Sequence, residues 1–281
     1  MEKFRLDHMQ SIYPQLLKGS WAAKIDLKDA YFHIPVHPSL KPFLRHRVYD
    51  HVWEYQAGPF GLNIMPQVFQ GVMKTLEKKW RQRGVEVYIY LDDILILGPT
   101  AGVLQKHLNL VVQDILDSGF KINIEKSSLQ PSQVVNHLGF VLNFQEGKVQ
   151  LVPQKLKGIR KELGKFITKQ NMSKRQISAI LGQIRANLLA LPFLKAFTGE
   201  LVQFLAQASQ HSWDKKFFIS QDIKEELKKV REVLENWSGR PFPQKATRIL
   251  HSDSSDLGWG DWTPIRGGKF KSFGGTEVTS T

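Results

Sequence analysis

Apolar and polar positions change their period along this chain. Up to about residue 150, short runs of β-branched and aromatic residues predominate. AAKIDL, HRVYDHVWEYQA, VEVYIYL and ILILG predict strands. Between them, MPQVFQGVMKTLEKKWRQRG and AGVLQKHLNLVVQDILDSG carry helical spacing and end at Gly84 and Gly119. From Pro153 to about residue 237 the pattern is helical. LVPQKLKGIRKELGKFITKQ is amphipathic and basic, Ser173 is placed to cap SKRQISAILGQIRANLLALP, and SQDIKEELKKVREVLENW is a charged helix. The stretch SGRPFP reads as a linker, and a new strand, ATRILHSD, follows it. The order predicts an α+β fold with an antiparallel sheet, then a helical region.

One strand pair breaks its own pattern. In EVYIYLDDILILG, residues 86–98, Asp92 and Asp93 interrupt the most apolar stretch of the chain. Asp suits a tight hairpin turn because its carboxylate caps nearby N–H groups. Two adjacent carboxylates repel, however, and beside buried strands they are costly unless something neutralises them. A divalent cation does so, and Mg²⁺ favours carboxylate oxygens. A plain turn and a metal site both remain open on this stretch alone.

Charge narrows the choice. Lys and Arg number 39 against 26 acids, a net charge of +13 and a pI near 9.8. That excess points to a polyanionic partner, nucleic acid or an anionic membrane surface. No apolar run approaches the roughly 20 residues that span a bilayer, and MEKFRLDHMQ lacks the apolar core of a signal peptide. No membrane association is expected. Cysteine is absent, which excludes disulfides and thiolate metal sites.

A second acid stands in a similar setting upstream. In AAKIDLKDAYFHIP, Asp26 ends a short apolar strand, with Asp29 and Tyr31 close behind. Two strands that each carry a carboxylate near one end can bring Asp26 beside Asp92 and Asp93. Such a group would hold two cations roughly 3.5–4 Å apart, the arrangement used in phosphoryl transfer.

The motifs IDLKDAYFHIP, GPFGLNIMPQVFQGVM, YIYLDD, GFKINIEKS and HLGFVLN follow one another in order. In this the chain resembles a retroelement reverse transcriptase. The resemblance is nearest to DIRS-like tyrosine-recombinase retrotransposons, with Gypsy-like elements and pararetroviruses as second choices. It implies a right-hand polymerase palm over residues 21–150, a helical thumb and connection over 151–243, and a truncated ribonuclease H-like start over 244–281. Residues 1–20 would be a remnant of the fingers. Lys3 and Arg5 are present there, but neither matches the family's triphosphate clamp.

The resemblance also implies roles. Asp26, Asp92 and Asp93 match the metal-binding carboxylates, with Asp93 contributing less directly, for two Mg²⁺ ions that Mn²⁺ can replace. The backbone of Asp29 and Ala30 would face a deoxynucleoside triphosphate. Tyr31 matches the aromatic that closes off the sugar's 2′ position, although its spacing alone also fits a core aromatic. Phe60 and Gly61 would line the nucleotide pocket, while Pro66 and Phe69 read as helix-start and packing residues. Lys126 would stand near the leaving pyrophosphate, or is a solvated surface lysine. His137, Leu138, Gly139 and Phe140 match the hairpin that grips the primer, or form an ordinary hairpin. Asp253 in LHSDSSDLGWGDW would be the first ribonuclease H acid; the other carboxylates such a site needs are not found, so no ribonuclease H activity is expected.

Lys155, Lys157, Arg160, Lys161, Lys165, Lys169, Lys174 and Arg175 cluster in the helical part. Such a run can track phosphates or be a solvated face. The implied activity is RNA-directed DNA polymerisation on an RNA or DNA template with a primer, in the nucleus or cytoplasm. The other readings are a non-catalytic nucleic-acid-binding remnant and a nuclease using the same acids; the pocket motif at Phe60 and Gly61 speaks against the nuclease.

Overall fold

The computed structural model describes residues 6–244, 251–255, 258–265 and 269–275. Lys3, Arg5 and the first part of ATRILHSD lie outside them. Helix α1 (Met9–Ile12) leads into β1 (Trp21–Asp26), the hairpin β2 (Arg45–Val48) and β3 (His51–Glu54), and helix α2 (Met65–Gln82). Strands β4 (Glu86–Tyr90) and β5 (Asp93–Gly98), helix α3 (Ala101–Asp117) and strands β6 (Ser128–Ser132), β7 (Val134–His137), β8 (Phe140–Asn143) and β9 (Lys148–Leu151) complete the first part. Then come α4 (Pro153–Ile167), β10 (Asn171–Ser173), α5 (Lys174–Ala186), α6 (Gly199–Gln207), β11 (Lys216–Phe218), α7 (Gln221–Asn236) and β12 (Arg240–Pro241). Contacts divide the chain after Phe242, and the second unit holds an antiparallel sheet of β13 (His251–Ser255), β14 (Gly258–Ile265) and β15 (Lys269–Gly275).

The central sheet has the order β4-β5-β1-β6. Its β1–β5 and β4–β5 pairs are antiparallel, with Asp26 opposite Asp93 and Tyr90 opposite Asp93. Side chains alternate across a sheet, so β1 presents Ala23 and Ile25 to one side and Ala22, Lys24 and Asp26 to the other. The first side packs with Ile89, Ile94 and Ile96 against Phe69, Met73 and Trp80 of α2 and Leu104, Leu108 and Val111 of α3. Each of these large side chains contributes about 1.5–3 kcal/mol by leaving water. The second side joins Leu95 and Leu97 to a core shared with β8, β9 and helices α4, α5 and α7. Residues on both sides of position 150 therefore share one hydrophobic core.

Local chemistry accounts for most boundaries. Pro66 stands in the first turn of α2, where its missing N–H is harmless, and Phe69 is fully buried. Gly84 and Gly119, past α2 and α3, take positive φ values of 78° and 80°, which favour glycine. Ser173 caps α5 in a reciprocal pair with Gln176.

Two expectations are corrected. HRVYDHVWEYQA is not one strand: Val48 pairs with His51, and Tyr49–Asp50 forms a two-residue turn. Tyr49 takes φ 54° there, a conformation that its composition does not advertise. SGRPFP is not a free linker either. Arg240–Pro241 pairs with Val149 and Lys148 of β9, Phe242 is buried, and the Tyr13 hydroxyl donates to Pro241 O at 2.6 Å.

Candidate active site

The β4–β5 hairpin closes through Leu91–Asp92, with Leu91 at φ 54°. Two-residue hairpin loops favour a positive φ at their first position, and Gly supplies it most cheaply. Leu adopts it here at some strain, which fixes Asp92 at the tip. The Leu27 N–H donates to Asp92 O at 2.9 Å and ties that tip to the end of β1. Asp26 is buried, with 8% of its surface exposed, while Asp92 is exposed as a residue. Burial of its carboxyl raises the Asp92 pKa, and the Asp93 and Asp26 charges raise it further; its own N–H and Lys126 oppose them. Asp26, Asp92, Asp93 and Lys126 thus meet at one end of the sheet.

Asp93 differs from its neighbours. Its Oδ1 lies 2.7 Å from Lys24 Nζ, as a close ion pair. Among the described residues, Asp26 and Asp92 have no ion-pair partner, and no three acidic or histidine side chains form a ready-made cation cage. The donor set still fits a hard divalent cation: Asp26 and Asp92 offer carboxylate oxygens with no ion-pair partner among the described residues, and burial, with the Asp93 and Asp26 charges, penalises ionised Asp92, a cost that a bound cation would offset.

The segment after Phe120 positions Lys126. Asn123 N–H donates to Asp26 O at 2.8 Å, and Lys28 N–H donates to Lys121 O at 2.8 Å. Asp26 N–H donates to Ser127 Oγ at 3.0 Å, and Lys126 N–H donates to Asn123 Oδ1 at 3.4 Å. Asn123 and Ser127 are positioning residues that motif reading passed over. Their signal was present in the sequence as a short polar turn directly beside Lys126.

On the other flank, Asp29 takes the left-handed conformation (φ 51°, ψ 42°) and starts a short 3₁₀ turn over Ala30–His33. Ala30 is buried. The Tyr31 ring lies 5.0 Å from Phe60 and 5.7 Å from Phe69. Burial raises the Tyr31 pKa, and the nearby Asp92 and Tyr90 raise it further, so this ring borders the acids. Phe60 is 62% exposed. A Cβ on Gly61, at φ 91°, would meet no protein atom within 4 Å. The tight glycine is instead Gly58, where a Cβ would stand 2.2 Å from Met65 Cε and 3.2 Å from Tyr31 O.

The β7–β8 hairpin turns through Leu138 (φ 47°) and Gly139 (φ 79°). Of the four motif residues Leu138 and Gly139 are the accessible ones, because Phe140 is buried and His137 is 1% exposed. Among the described residues neither His137 ring nitrogen has a hydrogen-bond partner. Burial lowers the His137 pKa to about 4; Asp93 pulls it up and Lys24 pushes it down, which sets this ring beside their ion pair.

The basic cluster divides by use. Arg160 donates to Leu234 O, Lys174 donates to Ser209 O at 2.8 Å, and Arg175 pairs with Asp214 at 2.9 Å. Lys155 lies 5.2 Å from the Phe140 ring centre. Lys157, Lys161 and Lys165 remain exposed at i, i+4 and i+8 along α4. Asp253, in the separate second unit, is exposed in β13 opposite Gly260.

Residues 2–142, just over half the chain, match the family model described as "Reverse transcriptase (RNA-dependent DNA polymerase)". The genome polyprotein of Petunia vein clearing virus (isolate Shepherd) is 23% identical over 258 residues, covering 92% of this chain and 11% of that protein. Polyprotein P3 of Commelina yellow mottle virus is 24% identical over 263 residues, covering 92% of this chain and 13% of that protein. The chain thus spans little more than a tenth of these relatives. Among solved structures, the foamy viral protease-reverse transcriptase in complex with RNA/DNA hybrid has a TM-score of 0.70 at 18% identity, covering 97% of this chain and 36% of that one. The same protein in complex with dsDNA has a TM-score of 0.71 at 15% identity, covering 99% and 56%. The fold, antiparallel sheets with helices, is that of these palm and thumb regions.

Proposed function

The chain belongs to the reverse transcriptase family, and we propose that it is the polymerase module of a retroelement, adding deoxynucleotides to a primer 3′ end on an RNA or DNA template. One observation carries this reading. Asp26, Asp92, Asp93 and Lys126 converge beside the aromatic pair of Tyr31 and Phe60.

Asp26 and Asp92 are the residues that would hold Mg²⁺, or Mn²⁺ in its place, with Asp93 in reserve behind Lys24. When bound, two such ions would compensate the triphosphate charge and acidify the primer hydroxyl. Lys126 then serves the leaving pyrophosphate as a proton donor. Tyr31, beside Asp92 and Phe60, is the ring assigned to exclude a ribose 2′-hydroxyl, and the open space at Gly61 is consistent with room for a nucleotide. The backbone of Asp29 and Ala30 lines the same side. Leu138 and Gly139 offer an exposed hairpin tip to a primer end. Lys157, Lys161 and Lys165 form a stripe spaced to follow phosphates.

The order and wording of the motifs favour a DIRS-like element, working in the nucleus or cytoplasm. Among the described residues no helix is long and apolar enough to cross a membrane. Asp253 keeps its reading as the first acid of a ribonuclease H-like segment. A second reading, nucleic-acid binding without turnover, draws on one observation: Lys24 holds Asp93 in an ion pair, so that among the described residues no three acidic side chains are arranged as a ready cation cage.

Primer extension by the full chain, on RNA with a DNA primer and Mg²⁺ or Mn²⁺, tests the choice. Incorporation lost in Asp92→Asn is the expected result. Binding of template and primer without incorporation by the parent would favour the second reading.

A further inference from the structure

A lysine in a central strand, beside the acids, needs a reason. Lys24 lies on β1 two residues before Asp26, so both side chains leave the same face of the sheet. Its backbone is flanked by Leu95 on β5 and Ser128 on β6. Lysine is rarely buried unless paired, yet the Lys24 side chain is only 18% exposed. Asp93, directly opposite Asp26, is its diagonal neighbour, and the two meet at 2.7 Å. The buried His137 ring feels both charges of the pair. Lys24 sits farther from the Leu91–Asp92 tip than Asp26 does. Its attraction therefore draws the Asp93 carboxylate along the strand, away from the tip.

We propose that Lys24 is a positioning residue: an internal counter-cation that holds Asp93 off the cation site and leaves Asp26 and Asp92 as the acids facing the metal. This rests on the metal-dependent reading of the same site. With Lys24 in place, a largely buried positive charge is paired into the three clustered carboxylates, so the metal-free chain tolerates them. Without it, Asp93 becomes an unpaired, three-quarters-buried anion beside two others. Asp93 would then be free to act as a further metal ligand. Cation affinity rises with the number of carboxylates that a site supplies.

The experiment compares the full chain with Lys24→Met, Lys24→Arg, D93N and the Lys24→Met/D93N double variant. Mn²⁺ binding is read by electron paramagnetic resonance of the free ion, and thermal melting is measured in chelator. Lys24→Met is expected to bind Mn²⁺ on the order of tenfold more tightly than the parent. Its metal-free melting temperature is expected to fall by about 3 °C. Lys24→Arg should behave as the parent in both readouts. In the D93N background, Lys24→Met should change neither. A purely structural ion pair would lower melting without moving Mn²⁺ affinity, and that outcome overturns the inference. So does an affinity change that persists in the D93N background. If Lys24→Met does not fold, Lys24→Gln carries the same two readouts. Failure of the parent to bind Mn²⁺ in a way that Asp26→Asn removes overturns the polymerase reading instead; melting of Lys24→Met against the double variant still decides the role of Lys24.

Discussion

Two hairpins of this molecule share a loop design and differ in everything around it. The β2–β3 and β4–β5 hairpins each close through two residues, and each puts Asp second, in Tyr49–Asp50 and Leu91–Asp92. Each also forces its first loop residue to φ 54°. In β2–β3 the Asp50 carboxylate meets Arg47 at 3.4 Å, and Val52 and Trp53 are 66% and 58% exposed. In β4–β5 the strands lie between two cores, and Asp92 adjoins two further acids. An Asp in a turn is therefore no signal of chemistry. The signal is an Asp whose surroundings withhold compensation.

The largest expected effect separates the two loops by activity. Asp92→Asn should lower nucleotide incorporation on the order of 10³-fold, whereas Asp50→Asn should stay within about twofold. Equal losses would erase the distinction.

The third hairpin, β7–β8, sharpens it through pH. His137 is buried and neutral, with its pKa lowered to about 4. An unfolded histidine takes up its proton near pH 6.5. The folded form thus gains stability above that value and loses it as pH falls from 6.5 toward 4. Chemical denaturation should show a loss of up to roughly 3 kcal/mol across that window. His137→Leu should flatten this limb, and it should cost little at pH 7, because neither ring nitrogen has a partner to lose.

Strain in the loops gives the next test. Tyr49 is 91% exposed, so Tyr49→Gly removes little packing and relieves its positive φ. A gain of about 1 kcal/mol in denaturant titration is expected. Leu91→Gly should relieve similar strain but loosen the Asp92 tip, so incorporation should fall while stability does not.

The smallest effect concerns charge at rest. The raised Asp92 pKa means that its ionised form is penalised in the folded chain. Stability is lost as pH rises through the carboxylate range. Without metal, Asp92→Asn should gain a few tenths of a kcal/mol at pH 7 after allowance for solvent screening. The gain should vanish below about pH 4, while Asp50→Asn should show no comparable gain.

Local rules make much of this legible in the sequence alone. Ser173 and Gln176 announced a capped helix, Gly84 and Gly119 announced helix ends, and the acids flanking apolar strands announced their sheet end. The Tyr49–Asp50 turn was hidden because the position that takes positive φ is a Tyr, which rarely adopts it. The Arg240–Pro241 pairing was hidden because Gly and Pro around it imitate a linker. Lys24 acts through a partner on another strand, so no local pattern could assign it, and the polar turn that holds Asn123 and Ser127 does not announce that both bond to Asp26 on a distant strand.

The most direct test of the central claim replaces the activating cation by Fe²⁺ and lets it cut the backbone through locally generated hydroxyl radicals. Cleavage is expected only in the neighbourhoods of Asp26 and Asp92, displaced by excess Mg²⁺ and lost in Asp26→Asn. Cleavage elsewhere, or at these positions regardless of Mg²⁺, would contradict the claim that this sheet end is built to hold metal.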